Sequence, residues 1–231
     1  MKKPDIQAWL IDLDGTLVDS VGDFVAALAP VARQVGAPAP DAELVRRLIG
    51  RGGERLLRDL LQHWRVQTDD FAGLRELYEV HYQRVNGQQA RVFEGVATGL
   101  AQLAALGLPM ACVTNKPQAN AQALLERLGL RACFQVLVGG APGLRAKPAP
   151  DALLRACELL GVPPGHCAMV GDSENDAAAA RAAACAAVLL LRGGYNHGEP
   201  IDTVPADAHL DRLDAVPAWF SASYPCRATA P

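Results

Sequence analysis

No cluster of lysine or arginine long enough to make a positive face occurs in this chain, and its net charge is −3. Nucleic acids and anionic membrane surfaces bind through a positive field, so neither is an expected partner. Long apolar runs are also missing. The longest, Ala182–Leu191, is far short of the roughly 20 residues a membrane span needs. Met1-Lys2-Lys3 opens like a secretory signal, but Asp12 and Asp14 interrupt the apolar stretch that such a signal requires. A soluble, cytoplasmic protein is the expectation. The six cysteines (112, 133, 157, 167, 185 and 226) contain no CxxC pair, and five of them stand beside apolar residues. That pattern predicts buried, reduced thiols with Cys226 alone exposed, and excludes a zinc site or disulfide frame. The five histidines (63, 81, 166, 197 and 209) show no HxxH or HxxxH spacing, so they are expected on the surface rather than as ligands. No internal repeat is visible, and between Val18 and Gln89 there is no lysine.

The chain does have an ordinary globular composition. Of its 231 residues, 50% are hydrophobic and 20% charged, enough for a full core plus a small accessory unit. Short apolar runs of strand length fall at Ala8–Leu13, Met110–Thr114 and Ala168–Gly171, with Gln135–Val138 and Ala187–Leu191 as further candidates. Helical patterns lie between them at Gly95–Leu106, Gln118–Leu128, Asp151–Leu160 and Glu174–Ala184. Strands alternating with three-turn helices predict an α/β fold, a doubly wound parallel sheet of Rossmann-like type. Residues 18–89 break the alternation with four successive helical patterns, Asp19–Val35, Ala42–Leu48, Glu54–Trp64 and Phe71–Val85. The predicted organisation is a core of residues 1–17 and 90–231 with an all-helical cap, residues 18–89, inserted as a lid. The tail after Ala222 is expected to be loose, and Trp9, Trp64 and Trp219 to be packing residues.

In a doubly wound sheet, ligands bind beyond the carboxyl ends of the strands. Polar clusters follow the strands here: Asp12-Leu13-Asp14-Gly15-Thr16, Thr114-Asn115-Lys116 and Gly171-Asp172-Ser173, with Lys147-Pro148 opening a helix between them. Taken singly, an Asp-x-Asp reads as a surface turn and a Lys-Pro as a helix start. Together they converge on one sheet edge.

These segments, in this order, resemble the four motifs of the haloacid dehalogenase superfamily: Asp12–Ser20, Thr114–Lys116, Lys147–Asp151 and Gly171–Asp176. Ile49-Gly50-Arg51-Gly52 and Gly194-Tyr195-Asn196-His197-Gly198 are similar to the phosphoglycolate phosphatases with a helical cap. The resemblance implies a phosphate monoester hydrolase working through an aspartyl-phosphate on Asp12. The metal ligands it implies are the Asp12 side chain, the Asp14 main-chain carbonyl and Asp172. The chemistry agrees: a carboxylate attacking an anionic phosphate needs a cation, and hard oxygen donors suit Mg²⁺. Asp14, with its carboxylate free, is then the acid for the leaving alkoxide and the base for water. Thr114 and Asn115 are donors to the phosphoryl oxygens, and Lys147 offsets the charge of the transition state. Thr16 is expected to fix the nucleophile loop and Ser173 to support the site. Asp176 is either an orienting residue or a water-mediated contact to the metal. Arg51 is weighed equally as a partner for a substrate carboxylate and as a solvated loop residue. The turn Tyr195–Gly198 suits the rim of the site.

Two-phosphoglycolate is the expected small-molecule substrate, with N-acetylmuramate 6-phosphate and other small sugar phosphates next, in a monomer or weak homodimer. A phosphosugar mutase on the same core is the alternative enzyme. Asp14 speaks against a dehalogenase, whose leaving halide needs no proton, and the lysine-free insert speaks against Schiff-base phosphonate cleavage. A silent binding protein would be expected to lose Asp12, Asp14, Lys147 or Asp172, and none is missing. One departure from the family pattern is Ala184-Cys185, where a glycine usually ends the fourth-motif helix.

Overall fold

The computed structural model describes residues 5–224. Six parallel strands form one sheet: β1 (Ala8–Ile11), β4 (Met110–Pro117), β5 (Val136–Gly140), β6 (Cys167–Gly171), β7 (Ala187–Leu191) and β8 (Ala208–Leu210), in the order β5-β4-β1-β6-β7-β8. Central β1 is buried on both faces, and its period of two divides it. Trp9 and Ile11 join one core cluster, while Ala8 and Leu10 join the other. Helices α5 (Val96–Ala105), α6 (Gln118–Arg127) and α9 (Val216–Ser223) cover the first face; α7 (Asp151–Leu160) and α8 (Glu174–Ala182) cover the second. The expected doubly wound α/β architecture is therefore present.

Some short elements depart from expectation. Among them, the three-residue strand β8 and the helix α9 have no strong sequence signal of their own. The Trp9 ring meets Phe220 of α9 edge-on at 5.4 Å, so tertiary packing holds a short helix that the pattern does not announce. The helix also carries order past Ala222, where a loose tail was expected; residues 225–231, with Cys226, lie outside the described residues. Of the five described cysteines, all free, Cys112, Cys157 and Cys167 are buried as expected, but Cys133 and Cys185 are partly exposed. Among the described residues no helix is long and apolar enough to cross a membrane.

Helices α1 (Val21–Gln34), α2 (Ala42–Leu48), α3 (Gly53–His63) and α4 (Phe71–Val85) have a hydrophobic cluster of their own. In α1 the buried Phe24, Ala27, Leu28 and Val31 follow the i, i+3, i+4, i+7 stripe of a helix face. Asp41 and Asp70 cap α2 and α4, accepting from Leu44 N at 2.7 Å and Gly73 N at 2.9 Å. The chain leaves and re-enters the core through a two-stranded antiparallel pair, β2 (Val18–Asp19) and β3 (Arg91–Val92). The fully buried carboxylate of Asp23 clasps the return connector, accepting from Gly87 N at 2.6 Å and Gln89 N at 2.8 Å.

At the end of α8, Ala184 has φ +57. Cys185 N reaches Ala180 O at 2.9 Å and Ala184 N reaches Arg181 O at 3.0 Å. This is the six-to-one and five-to-two pattern of a Schellman end, whose left-handed position favours glycine. Ala184 is exposed and loses no packing if trimmed. Ala184→Gly should therefore stabilise the fold by about 1 kcal/mol, seen as a melting temperature raised by roughly 2–4 °C. An unchanged or lower melting temperature would contradict this reading of the helix end.

Candidate active site

The site forms where β1, β4 and β6 end side by side. Asp12 continues the β1–β6 ladder by one bond, its amide donating to Val170 O at 2.9 Å, so its side chain leaves the sheet edge beside Asp172, which follows β6. The loop then turns back through Gly15 at φ +94. A side chain at Gly15 would stand 2.1 Å from Asp172 Oδ2, and one at Gly194 would stand 2.3 Å from the same atom. Two glycines thus clear the space in which the Asp172 carboxylate lies. Thr16 Oγ1 donates to Asp172 Oδ1 at 2.7 Å, and Tyr195 N donates to Oδ2 at 2.6 Å. The Thr16 hydroxyl therefore orients Asp172 and through it ties the nucleophile loop to β6. The Tyr195 turn, expected at the rim, supplies an amide to the centre of the site.

Asp176 lies one turn along α8 and accepts from Ser173 Oγ at 2.6 Å and from the amides of Asp172 and Ser173 at 3.2 Å, all on Oδ2. Its Oδ1 accepts from Lys147 Nζ at 2.7 Å. Asp176 thus positions Lys147 and the loop after β6. Lys147 Nζ also donates to Val113 O at 2.9 Å and forms an ion pair with Asp12 Oδ1 at 2.7 Å. Burial disfavours its charge, but Asp12 and Asp176 outweigh that and hold the ammonium's pKa above the ordinary lysine value.

The balance of charge is unequal. Oxygens of Asp12, Asp172 and Asp176, all buried, lie within 4.8 Å of one another. Burial pushes the Asp12 carboxyl up to about 7 against the pull of Lys147. Burial, then the charges of Asp176 and Asp12, hold Asp172 well above the usual carboxylate range. Hard oxygen donors carrying excess negative charge fit a divalent cation. Two of the three carboxylates share the Lys147 ammonium, which leaves the cluster short of positive charge. Asp176 is less available, because both of its oxygens already accept.

Asp14 has partners the sequence does not announce, and Asn115 loses its expected role. The Asp14 carboxylate is not free: Lys116 Nζ lies 2.8 and 3.0 Å from its oxygens, and Ser20 Oγ donates to it at 2.5 Å. The Asn115 side chain is taken up by backbone, donating to Gly50 O and Lys147 O at 2.9 Å and accepting from Lys147 N at 2.8 Å. It bridges the helical insert and the core across the cis Lys147–Pro148 peptide, and leaves no side-chain donor for a phosphoryl group. Thr114, buried, accepts from Lys116 N at 3.1 Å and so keeps its own O–H to donate. Lys116 is the residue that sequence reasoning left without a role. A period-2 signal was available, since Thr114 and Lys116 share a face of β4 and Asn115 takes the other.

These side chains line one cavity of about 120 Å³. Asp12, Asp14, Thr114, Lys116, Lys147 and Asp172 form its floor, and Phe24, Ile49, Leu56, Tyr78 and Tyr82 of the insert form its roof. Arg51 is exposed and does not line the cavity, although its neighbours Gly50, Gly52 and Gly53 do. His197, half-buried at φ +53, lies with Nε2 3.1 Å from Asn175 Nδ2 beneath the Gly50 loop.

The family model for haloacid dehalogenase-like hydrolases matches residues 6–184. A plasmid-borne phosphoglycolate phosphatase of Cupriavidus necator is 42% identical over 93% of this chain and 93% of its own. The phosphoglycolate phosphatase of Escherichia coli K12 is 36% identical over 94% of each. Among solved structures, a predicted phosphoglycolate phosphatase from Haemophilus somnus superposes with a TM-score of 0.86 at 30% identity, over 91% of this chain and 96% of the other. Sequence, sheet order and the carboxylate–lysine cluster agree, and the chain belongs to the haloacid dehalogenase-like hydrolases.

Proposed function

We propose that this protein hydrolyses a small phosphate monoester, with 2-phosphoglycolate as its substrate, by passing the phosphoryl group through Asp12. The observation that carries this reading is the buried Asp12 carboxylate, facing the cavity with Lys147 beside it and Asp14 two residues on. Asp12 attacks phosphorus and the leaving oxygen takes a proton from Asp14. Water, deprotonated by Asp14, then releases phosphate from Asp12. Lys147 stays charged and stands where negative charge gathers, and the Thr114 hydroxyl donates to a phosphoryl oxygen. Mg²⁺ would be held by Asp12, Asp172 and the Asp14 carbonyl, and would supply charge neutralisation between carboxylates and phosphate.

The helical insert, residues 18–89, acts as the lid, and its apolar roof excludes bulk water from the reaction. The relatives named phosphoglycolate phosphatase support the same substrate.

Asp12→Asn keeps the side chain's shape but cannot attack phosphorus. Phosphate release from phosphoglycolate should fall on the order of a thousandfold or more, with the melting temperature close to that of wild type. Turnover within about tenfold of wild type would remove Asp12 from its role.

A second test concerns the cation. Asp12 and Asp172 have raised pKa values in the folded protein, so there they retain protons that the unfolded chain has already lost above about pH 4. The stability contributed by these groups is thus present at low pH and lost as pH rises through the folded-state values, toward about 7 for Asp12. Mg²⁺ competes with those protons. It should raise the melting temperature of chelator-treated protein by several degrees more at pH 8 than at pH 5. Equal shifts at both pH values would mean that the cation does not bind these carboxylates.

A further inference from the structure

Of the four lysines in the chain, two, Lys116 and Lys147, are buried in the cavity. Every arginine of residues 18–89 is exposed. Lys147 belongs to the phosphoryl side, between Asp12 and Asp176. Lys116 stands on the other side of Asp14 and has only 2% of its side chain exposed. Asp14 takes two of its three donors. Its Nζ lies 4.9 Å from the Phe24 ring centre and 5.0 Å from that of Tyr82, both in the roof. Tyr82 lines the same cavity, and its hydroxyl is buried with no hydrogen-bond partner among the described residues. A buried hydroxyl that goes unpaired is costly.

A cation with a spare donor and an unpartnered phenol therefore lie together in a dry corner next to Asp14. Asp14 faces the leaving oxygen, so whatever is attached to that oxygen extends toward this corner. We propose that Lys116 and Tyr82 form the subsite for a small carboxylate borne two bonds from the leaving oxygen, and that they, rather than Arg51, set the enzyme's preference for acid phosphates. The proposal rests on reading the site as a phosphomonoesterase. The Lys116 ammonium keeps its contact with Asp14 and offers its third donor to the substrate carboxylate. The Tyr82 hydroxyl donates to the substrate's second oxygen. Phe24 and Tyr82 close over the lysine and keep it poorly hydrated, which strengthens its pairing.

The test is calorimetric titration of the Mg²⁺-loaded protein with two non-hydrolysable ligands. One is 3-phosphonopropionate, the carbon isostere of phosphoglycolate; the other is 3-hydroxypropylphosphonate, which differs in lacking the carboxylate. Wild type should prefer the carboxylate ligand by about thirtyfold or more, as a desolvated charge pair implies. Tyr82→Phe, which keeps the ring and removes only the hydroxyl, should cut that preference about tenfold. Lys116→Met should abolish it, and Arg51→Ala should leave it intact. The readout is the ratio of the two affinities, because general damage to the fold weakens both ligands alike. The subsite is refuted if wild type shows no preference, if the preference survives in both cavity variants, or if Arg51→Ala removes it. Turnover is measured separately: a binding preference without phosphate release from phosphoglycolate would refute the proposed substrate while leaving the subsite standing.

Discussion

Everything in the site follows from crowding three carboxylates together, with one ammonium against two of them, in a place water scarcely reaches. Asp12, Asp172 and Asp176 come from two strand ends and a helix, and Lys147 from the loop before α7. Each negative charge taken out of water is costly unless it is compensated. The compensation is specific: two amides and a hydroxyl on Asp176, a hydroxyl and an amide on Asp172, and an ammonium between Asp176 and Asp12. It is also incomplete, because one ammonium is shared by Asp12 and Asp176 while Asp172 has no cation of its own. The geometry holds Asp12 in place while leaving it under-neutralised, a suitable state for a group proposed to attack phosphorus and share a cation.

That crowding sets demands on the surrounding chain. Glycines at 15 and 194 leave room for Asp172. The β1–β6 register, with Ile11 opposite Val170, sets Asp12 level with Gly171 and so next to Asp172 at the sheet edge. A shift of one residue would turn Asp12 to the other face. Polar contacts then couple the insert to the same edge. The Tyr195 hydroxyl donates to Asp19 Oδ1 at 2.6 Å and accepts from Ser20 N at 3.1 Å. Asn115 reaches Gly50, and Asn86 Nδ2 reaches Asn120 O at 2.9 Å. The last two are single hydrogen bonds between insert and core, each worth only about 1 kcal/mol. A lid held over the cavity by such contacts can open to exchange substrate and product.

Much of this was legible along the chain. Strand β7 and helices α2, α4 and α7 fall on the residues their patterns indicate, because each carries a complete apolar run or stripe. The pairs β2–β3 and the strand β8 were not legible. Two or three residues hold no period, and they become strands only when a partner is alongside. The role of Asn115 misled for a related reason. Its residue type suits phosphoryl binding, but its side chain is taken up by Gly50 and Lys147, more than thirty positions away.

By itself the sequence determined the chemical inventory and its order: alternating strands and helices, a helical insert after the first strand, and carboxylates and a lysine at strand ends. Local propensity and hydrophobic period encode such features, and both act over a few residues. Only the tertiary structure decided the pairings. It directed Thr16 to Asp172, bound both oxygens of Asp176, buried Lys116 between Asp14 and two aromatic rings, and left Arg51 in solvent. Charge pairing depends on distance in space and on the absence of water, and neither exists until the sheet edge and the helical roof have closed on each other.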